Sequence, residues 1–278
     1  MVKIMSDTST LYSIKEGEKN NVIINPLSVT INEETYKEYE EISPKEFIGK
    51  INGGNIPSTS QPSIGNTVEL YENNKEDDIL NITMSDGLSG TYSSACTARE
   101  MVDNKDNIYV LNSRTLCGPQ RYLVNKAVEL ANKDYKMKEI IEVLEDKINN
   151  SKSFLIPKDF DFLRRGGRLT PIAAKIGSML KLIPVLTITE DGSRLEKFSL
   201  KRTISSAVDI IVDEFQKMNV NEEYIIYICH AGDEATANKC KERIKRTLTN
   251  TEIEIFELSP VFIAQGGPEC ISIQTIKK

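Results

Sequence analysis

The sequence predicts an α/β protein of two domains. Residues 1–150 read as a mainly parallel sheet with flanking helices, and residues 151–278 as a mixed or mainly antiparallel sheet with helices. Three observations lead there. A chain of 278 residues, 39% of them hydrophobic, exceeds one typical core and can fill two. In its first half, short apolar runs alternate with segments of helical period, the pattern of crossover units. Near Asn149-Asn150-Ser151-Lys152 that pattern stops and restarts, and beyond it Glu190-Asp191-Gly192-Ser193 reads as a hairpin connection.

The first strand, residues 2–6, stops at the polar turn Asp7-Thr8-Ser9-Thr10. Strands over 22–24 and 27–31 flank Pro26, and Ser43 with Glu46 forms a capping pattern that opens a helix through Ile51. Ile64, Val68 and Tyr71 fall at spacings of four and three, one face of a helix over 62–72. A strand over 79–84 then runs into a glycine-bearing turn over 85–90 and a helix from about Ser89. A strand at 108–111 ends in Asn112-Ser113-Arg114 and precedes helices from Pro119 and over 137–148. In the second half, strands are expected at 153–156, 184–189, 194–200, 224–229, 253–258 and 270–276. Helices are expected at 160–165, 171–182, 202–218 and 234–248. A parallel sheet gathers its ligand groups at the carboxyl ends of its strands, which is where the polar turns of the first half fall.

Charge excludes one class of partner: 35 basic residues against 41 acidic, net −6, leave no basic footprint for nucleic acid. No run of about 18 apolar residues suggests an integral membrane segment, and Asp7 interrupts the start before a leader-like apolar stretch can form. The cytoplasm is the expected compartment. Five cysteines, odd in number and without a Cys-x-x-Cys pair, read as reduced and mostly buried thiols, and neither a metal nor a cofactor is expected.

The turn at 85–90 organises the chemistry. Strand, glycine turn and a helix start rich in hydroxyls (Ser89, Gly90, Thr91, then Ser93 and Ser94) make a seat for an anion, with free backbone N–H groups and close backbone approach at the glycines. Thr59-Ser60-Gln61-Pro62-Ser63 is a second such segment, read here as hydroxyls crowding a helix that starts at Pro62. Ordinary capping needs one Ser or Thr per helix, and this chain offers more. A hydrolase using Ser89 is the rival reading, since Gly87-Leu88-Ser89-Gly90 approaches a nucleophile elbow and one histidine, His230, ends a strand. The elbow wants glycine two residues after the serine, where Thr91 stands. No triphosphate loop with Gly-Lys-Ser/Thr is present.

Taken in order, these residues resemble the DegV family of fatty-acid-binding proteins, which includes the acyl-carrying subunits of bacterial fatty acid kinase. The resemblance spans nearly the whole chain. It rests on Ser6-Asp7-Thr8-Ser9, the Thr59–Ser63 segment, Ser85-Asp86-Gly87-Leu88-Ser89-Gly90-Thr91-Tyr92, Asn112-Ser113-Arg114, Arg165-Gly166-Gly167-Arg168, Cys229-His230-Ala231-Gly232 and Gly267-Pro268. It implies a two-domain DegV-like fold and a non-catalytic carrier that buries one long-chain fatty acid. Thr59 and Ser89 would hold the carboxylate, with Ser60, Gly90 and Thr91 beside them. Gln265 stands where the family's His-x-Gly-Pro-Gly turn has its histidine. An acyl kinase partner, serving phospholipid synthesis, would dock at Arg168 and Arg202. A lipid-sensing interaction protein is the remaining alternative.

Overall fold

The computed structural model describes residues 2–52, 54–176 and 182–278. Its chain begins with β1 (Val2–Asp7), α1 (Ile14–Lys19), β2 (Val22–Asn25), the hairpin β3 (Ser28–Ile31) and β4 (Glu34–Lys37), α2 (Pro44–Asn52) and β5 (Ser58–Ser60). There follow α3 (Ile64–Glu72), β6 (Asp78–Thr83), α4 (Thr91–Arg99), β7 (Ile108–Asn112), α5 (Cys117–Ala131) and α6 (Met137–Asn149). Strands β2-β1-β6-β7 form a wholly parallel sheet in that order. The apolar run of β6, buried on both faces, suits its interior place. A small antiparallel sheet, β4-β3-β5, sits apart from it.

The remainder is β8 (Ser151–Ile156), α7 (Phe160–Gly166), α8 (Pro171–Ala174), β9 (Ile183–Ile188), β10 (Leu195–Lys201), α9 (Ile204–Lys217), β11 (Tyr224–His230), α10 (Glu234–Lys245), β12 (Glu252–Glu257), α11 (Pro260–Gly266) and β13 (Ile271–Lys277). Its six strands, ordered β10-β9-β8-β13-β11-β12, are antiparallel except for the β11–β12 pair. The mixed sheet expected from the hairpin and the long returns is therefore present. Helix α5 packs on β1 and β6 of the first sheet and on β11 and β13 of the second. One hydrophobic cluster accordingly runs from Ile4 and Leu80 through Leu123 to Ile225 and Ile276.

Several elements differ from expectation. Thr59 and Ser60 lie on β5, paired with Val29 and Ser28, and not at a helix start. Pro62 disfavours helical backbone at Gln61, so the chain stays extended past it and Ser63 becomes the cap of α3, accepting from the Asn66 N–H at 3.1 Å. Helix α4 begins at Thr91 with Gly90 as its cap residue, slightly later than expected. The apolar helix expected over 171–182 is the four-residue α8, and residues 177–181 lie outside the described residues. Helices α1 and α11 and strand β4 were not foreseen, although Ser13 and Glu16 make a reciprocal capping box at the start of α1.

Candidate functional site

The carboxyl ends of the parallel strands converge on the turn of residues 85–90, which several of the sequence motifs fasten. Asp7, buried at the end of β1, accepts from the Met84 N–H at 3.1 Å and from the Ser9 backbone and hydroxyl. Burial pushes its carboxyl above the usual range, and these hydrogen bonds partly offset that. Asn112 at the end of β7 accepts from the Asp86 N–H at 3.2 Å. From the other sheet, the Ser85 hydroxyl donates to the Gly192 carbonyl at 2.6 Å, and Arg168 and Arg194 donate to the carbonyls of Leu88 (3.1 Å) and Gly87 (3.3 Å). Gly87 adopts a left-handed φ of 85°, and its Cα abuts the Ser193 backbone, so a side chain fits neither the torsion nor the space. Ser89 is thus held from both sheets.

Beside this turn lies a cavity between β5, α11 and the inner face of the second sheet. Its volume is about 120 Å³. Two other hollows are larger, about 610 and 550 Å³: the first mixes Ile4, Val22, Ile24 and Leu70 with Lys3, Glu18 and Lys37, and the second is lined mainly by polar groups. The inner cavity is walled mostly by Leu, Ile, Phe, Val and Met, with one group of polar side chains that includes Thr59, Ser89 and Gln265 and another on β8 and β13. That contrast of a long apolar wall with a small polar cluster is the signature of a site for an amphiphile.

Thr59, Ser60, Ser89, Gln265 and Arg168 all line the cavity. The Gln265 Nε2 donates to Thr59 Oγ1 at 3.1 Å, so the single hydroxyl proton of Thr59 is left to point elsewhere and can serve a ligand. Ser89 Oγ accepts from the Thr91 N–H at 3.3 Å and lies 2.8 Å from Thr91 Oγ1. When Thr91 donates across that contact, the Ser89 proton is free in the same way. Two neutral donors face one small space.

Gly90 and Thr91 do not line the cavity. The Gln61 side chain covers Gly90, and Thr91 stands behind Ser89 as its partner. Arg202 is exposed on the loop after β10, away from the lining, whereas Arg168 is half-buried. Burial, with Arg194 nearby, lowers the pKa of the Arg168 guanidinium. His230 is also absent from the lining, so Ser89 shares the cavity with no imidazole among the described residues. No described residue of the short α8 lines it either.

Sequence reasoning missed other wall residues. Gln61 lines the cavity and donates to Ser94 Oγ at 2.7 Å. Ser153, Ser272 and Gln274 bring polar atoms to the far wall, and the thiols of Cys117 and Cys270 also line it. Alternation of polar residues along the buried β13 was the available signal. All five cysteines are free, four buried and Cys96 half-buried. Burial pushes the Cys270 thiol up to about 12 and the Cys240 thiol to about 11, and holds Cys117 well above its ordinary value.

The family model described as "Uncharacterised protein, DegV family" matches residues 1–278. A DegV domain-containing protein of Staphylococcus aureus (strain N315) is 30% identical over 278 residues, covering 99% of this chain and 98% of that protein. Among solved structures, DegV from Bacillus subtilis, described as a fatty acid binding protein, superposes with a TM-score of 0.88 at 30% identity, covering 100% of this chain and 99% of that one. A DegV family protein from Thermus thermophilus, described by its fatty acid binding, gives a TM-score of 0.90 at 25% identity, with 100% of this chain and 99% of that one covered. The chain belongs to the DegV family.

Proposed function

We propose that this protein is a non-catalytic carrier of one long-chain fatty acid. The observation that carries the reading is the apolar cavity with the Thr59 and Ser89 hydroxyls facing one space at its polar end. Burying about 15 methylenes at ~0.8 kcal/mol each yields ~12 kcal/mol before the costs of association, so the tail supplies affinity. The head group then needs orientation more than strength. Neutral hydroxyls hold a carboxylate without the bidentate grip of arginine and leave an oxygen presentable to an acyl kinase. In this reading Arg202, exposed, belongs to the kinase-docking surface, and Arg168 joins that surface to the Ser89 turn. The division near residue 150 separates the half that carries Thr59 and Ser89 from the half that helps to enclose the acyl chain. Presentation to a kinase that feeds lipid synthesis assigns the carrier to the cytoplasm. Among the described residues no helix is long and apolar enough to cross a membrane.

Mass spectrometry of lipid extracted from the purified protein tests the reading. Stoichiometric long-chain fatty acid is expected, and a protein that yields none and takes up none when it is offered is no carrier. Thr59→Ala and Ser89→Ala should each weaken binding by one to two decades, the loss of one hydrogen bond to a charged group at roughly 1.5 to 3 kcal/mol. Unchanged affinity in both variants would reduce the two residues to parts of the backbone turns that carry them.

Gln265→His makes a separate prediction. A Gln amide is uncharged at every working pH, whereas a histidine titrating near ~6.5 gains charge on the acidic side. Relative to the parent, the variant should bind fatty acid more tightly as pH falls from 8 to 5.5, where imidazolium meets carboxylate. Parallel affinity profiles for the two proteins would place residue 265 out of reach of the head group.

A further inference from the structure

We propose that the pocket is built for a long-chain fatty acid bearing a hydroxyl part-way along its chain, which Ser272 and Gln274 of β13 would receive. This rests on the fatty-acid reading above and goes beyond it in naming the ligand class.

Gln274 is fully buried, yet it lines the cavity. Both of its amide protons are used: Nε2 donates to the Leu116 carbonyl at 3.1 Å and to Ser153 Oγ at 2.9 Å. Among the described residues its carbonyl Oε1 receives only the Cys229 thiol, 4.0 Å away and a weak donor. Ser272, two residues earlier on the same face of the strand, is also buried against the cavity, and among the described residues no hydrogen bond engages its hydroxyl. An acceptor in want of a donor therefore stands beside a hydroxyl in want of a partner. A methylene satisfies neither, and a plain alkyl tail would seal both away from water. A ligand hydroxyl, being donor and acceptor at once, satisfies both.

Position along the strand tells where that hydroxyl must be. Gly266, next to Gln265 at the head-group end, abuts the Cys270 thiol. At ~3.3 Å per residue, Ser272 and Gln274 lie about 7 and 13 Å beyond Cys270, which is mid-chain for a long acyl ligand.

Displacement of a fluorescent fatty acid by octadecanoate, 10-hydroxyoctadecanoate and 12-hydroxyoctadecanoate tests the proposal. The parent protein should bind at least one hydroxy acid within about threefold of octadecanoate. In Ser272→Ala and in Gln274→Met, the affinity of that hydroxy acid relative to octadecanoate should fall about tenfold. Gln274→Met also removes the tie to Leu116, so Ser272→Ala carries the test should that variant fail to fold. The proposal is overturned if both hydroxy acids bind the parent more than about tenfold more weakly than octadecanoate. An affinity ratio that Ser272→Ala leaves unmoved overturns it equally. Failure of octadecanoate itself to bind would remove the carrier reading, and this proposal with it.

Discussion

Gly118→Ala should destabilise the protein by about 3 kcal/mol, although alanine is the better helix former by ~1 kcal/mol. Helix α5 touches both sheets, and Gly118 in its first turn lies against Tyr227 of the second. A Cβ there would fall well inside van der Waals contact with Cβ and Cγ of Tyr227. That ring cannot yield easily: it is 4% exposed and stacked on Phe256, centroid to centroid 5.9 Å. Relief therefore requires α5 to lift from β11, which opens the cluster shared by the two sheets. Urea denaturation of parent and variant measures the effect. A variant within 1 kcal/mol of the parent would mean that α5 and β11 are free to slide apart.

A second effect of similar size is expected from Glu38, a fully buried carboxylate that follows β4. It accepts from the Thr8 hydroxyl and from the Val261 N–H at 3.0 Å, joining the small antiparallel sheet to the first turn of α11, the helix that carries Gln265. Burial raises its pKa from 4.5 to about 7 despite these hydrogen bonds. Between those two values the folded protein holds a proton that the unfolded chain has released, so stability falls as pH rises through this window. The full cost, ~3 kcal/mol, is present above about pH 7 and absent below about 4.5. The raised pKa of Asp7 acts in the same direction. Glu38→Gln should remove the Glu38 share together with its repulsion of Asp7, which is close enough to raise the Glu38 pKa, and the difference between the two unfolding free energies measures that sum. That difference should change by ~3 kcal/mol between pH 4.5 and 8. Parallel stability profiles would show that Glu38 titrates as an ordinary surface acid.

Much of this was legible in the sequence because it is local. Periodicity marks α3, and the restart near residue 150 anticipates a second sheet. The 85–90 turn announced itself through Gly87, whose positive φ few other residues adopt. Thr59 lines the cavity, but on a strand: Pro62 suggests a helix start, whereas its restraint on Gln61 keeps the chain extended past β5. Gly90 and Thr91 belong with Ser89 to one hydroxyl-rich helix start, and of the three only Ser89 lines the cavity. The far wall was not legible. Ser153, Ser272 and Gln274 meet only through the antiparallel register of β8 and β13, which pairs Ser153 with Gln274 across more than a hundred residues of chain. Nor does a local pattern reveal that Arg168 and Arg194 close on carbonyls some eighty to a hundred residues earlier.

The buried thiols turn the molecule into its own clock. Alkylation proceeds through the thiolate, and Cys117 and Cys270 are kept protonated at neutral pH as well as shielded. Each can be modified only in the moments when the walls of the cavity part. Cys96, half-buried on α4, needs no such opening. With a small alkylating reagent the protein should therefore show one fast modification followed by slow ones, and the slow rate for Cys117 and Cys270 counts how often the cavity breathes. A ligand that fills the space holds the walls together, so the same slow phase becomes a stopwatch for its departure.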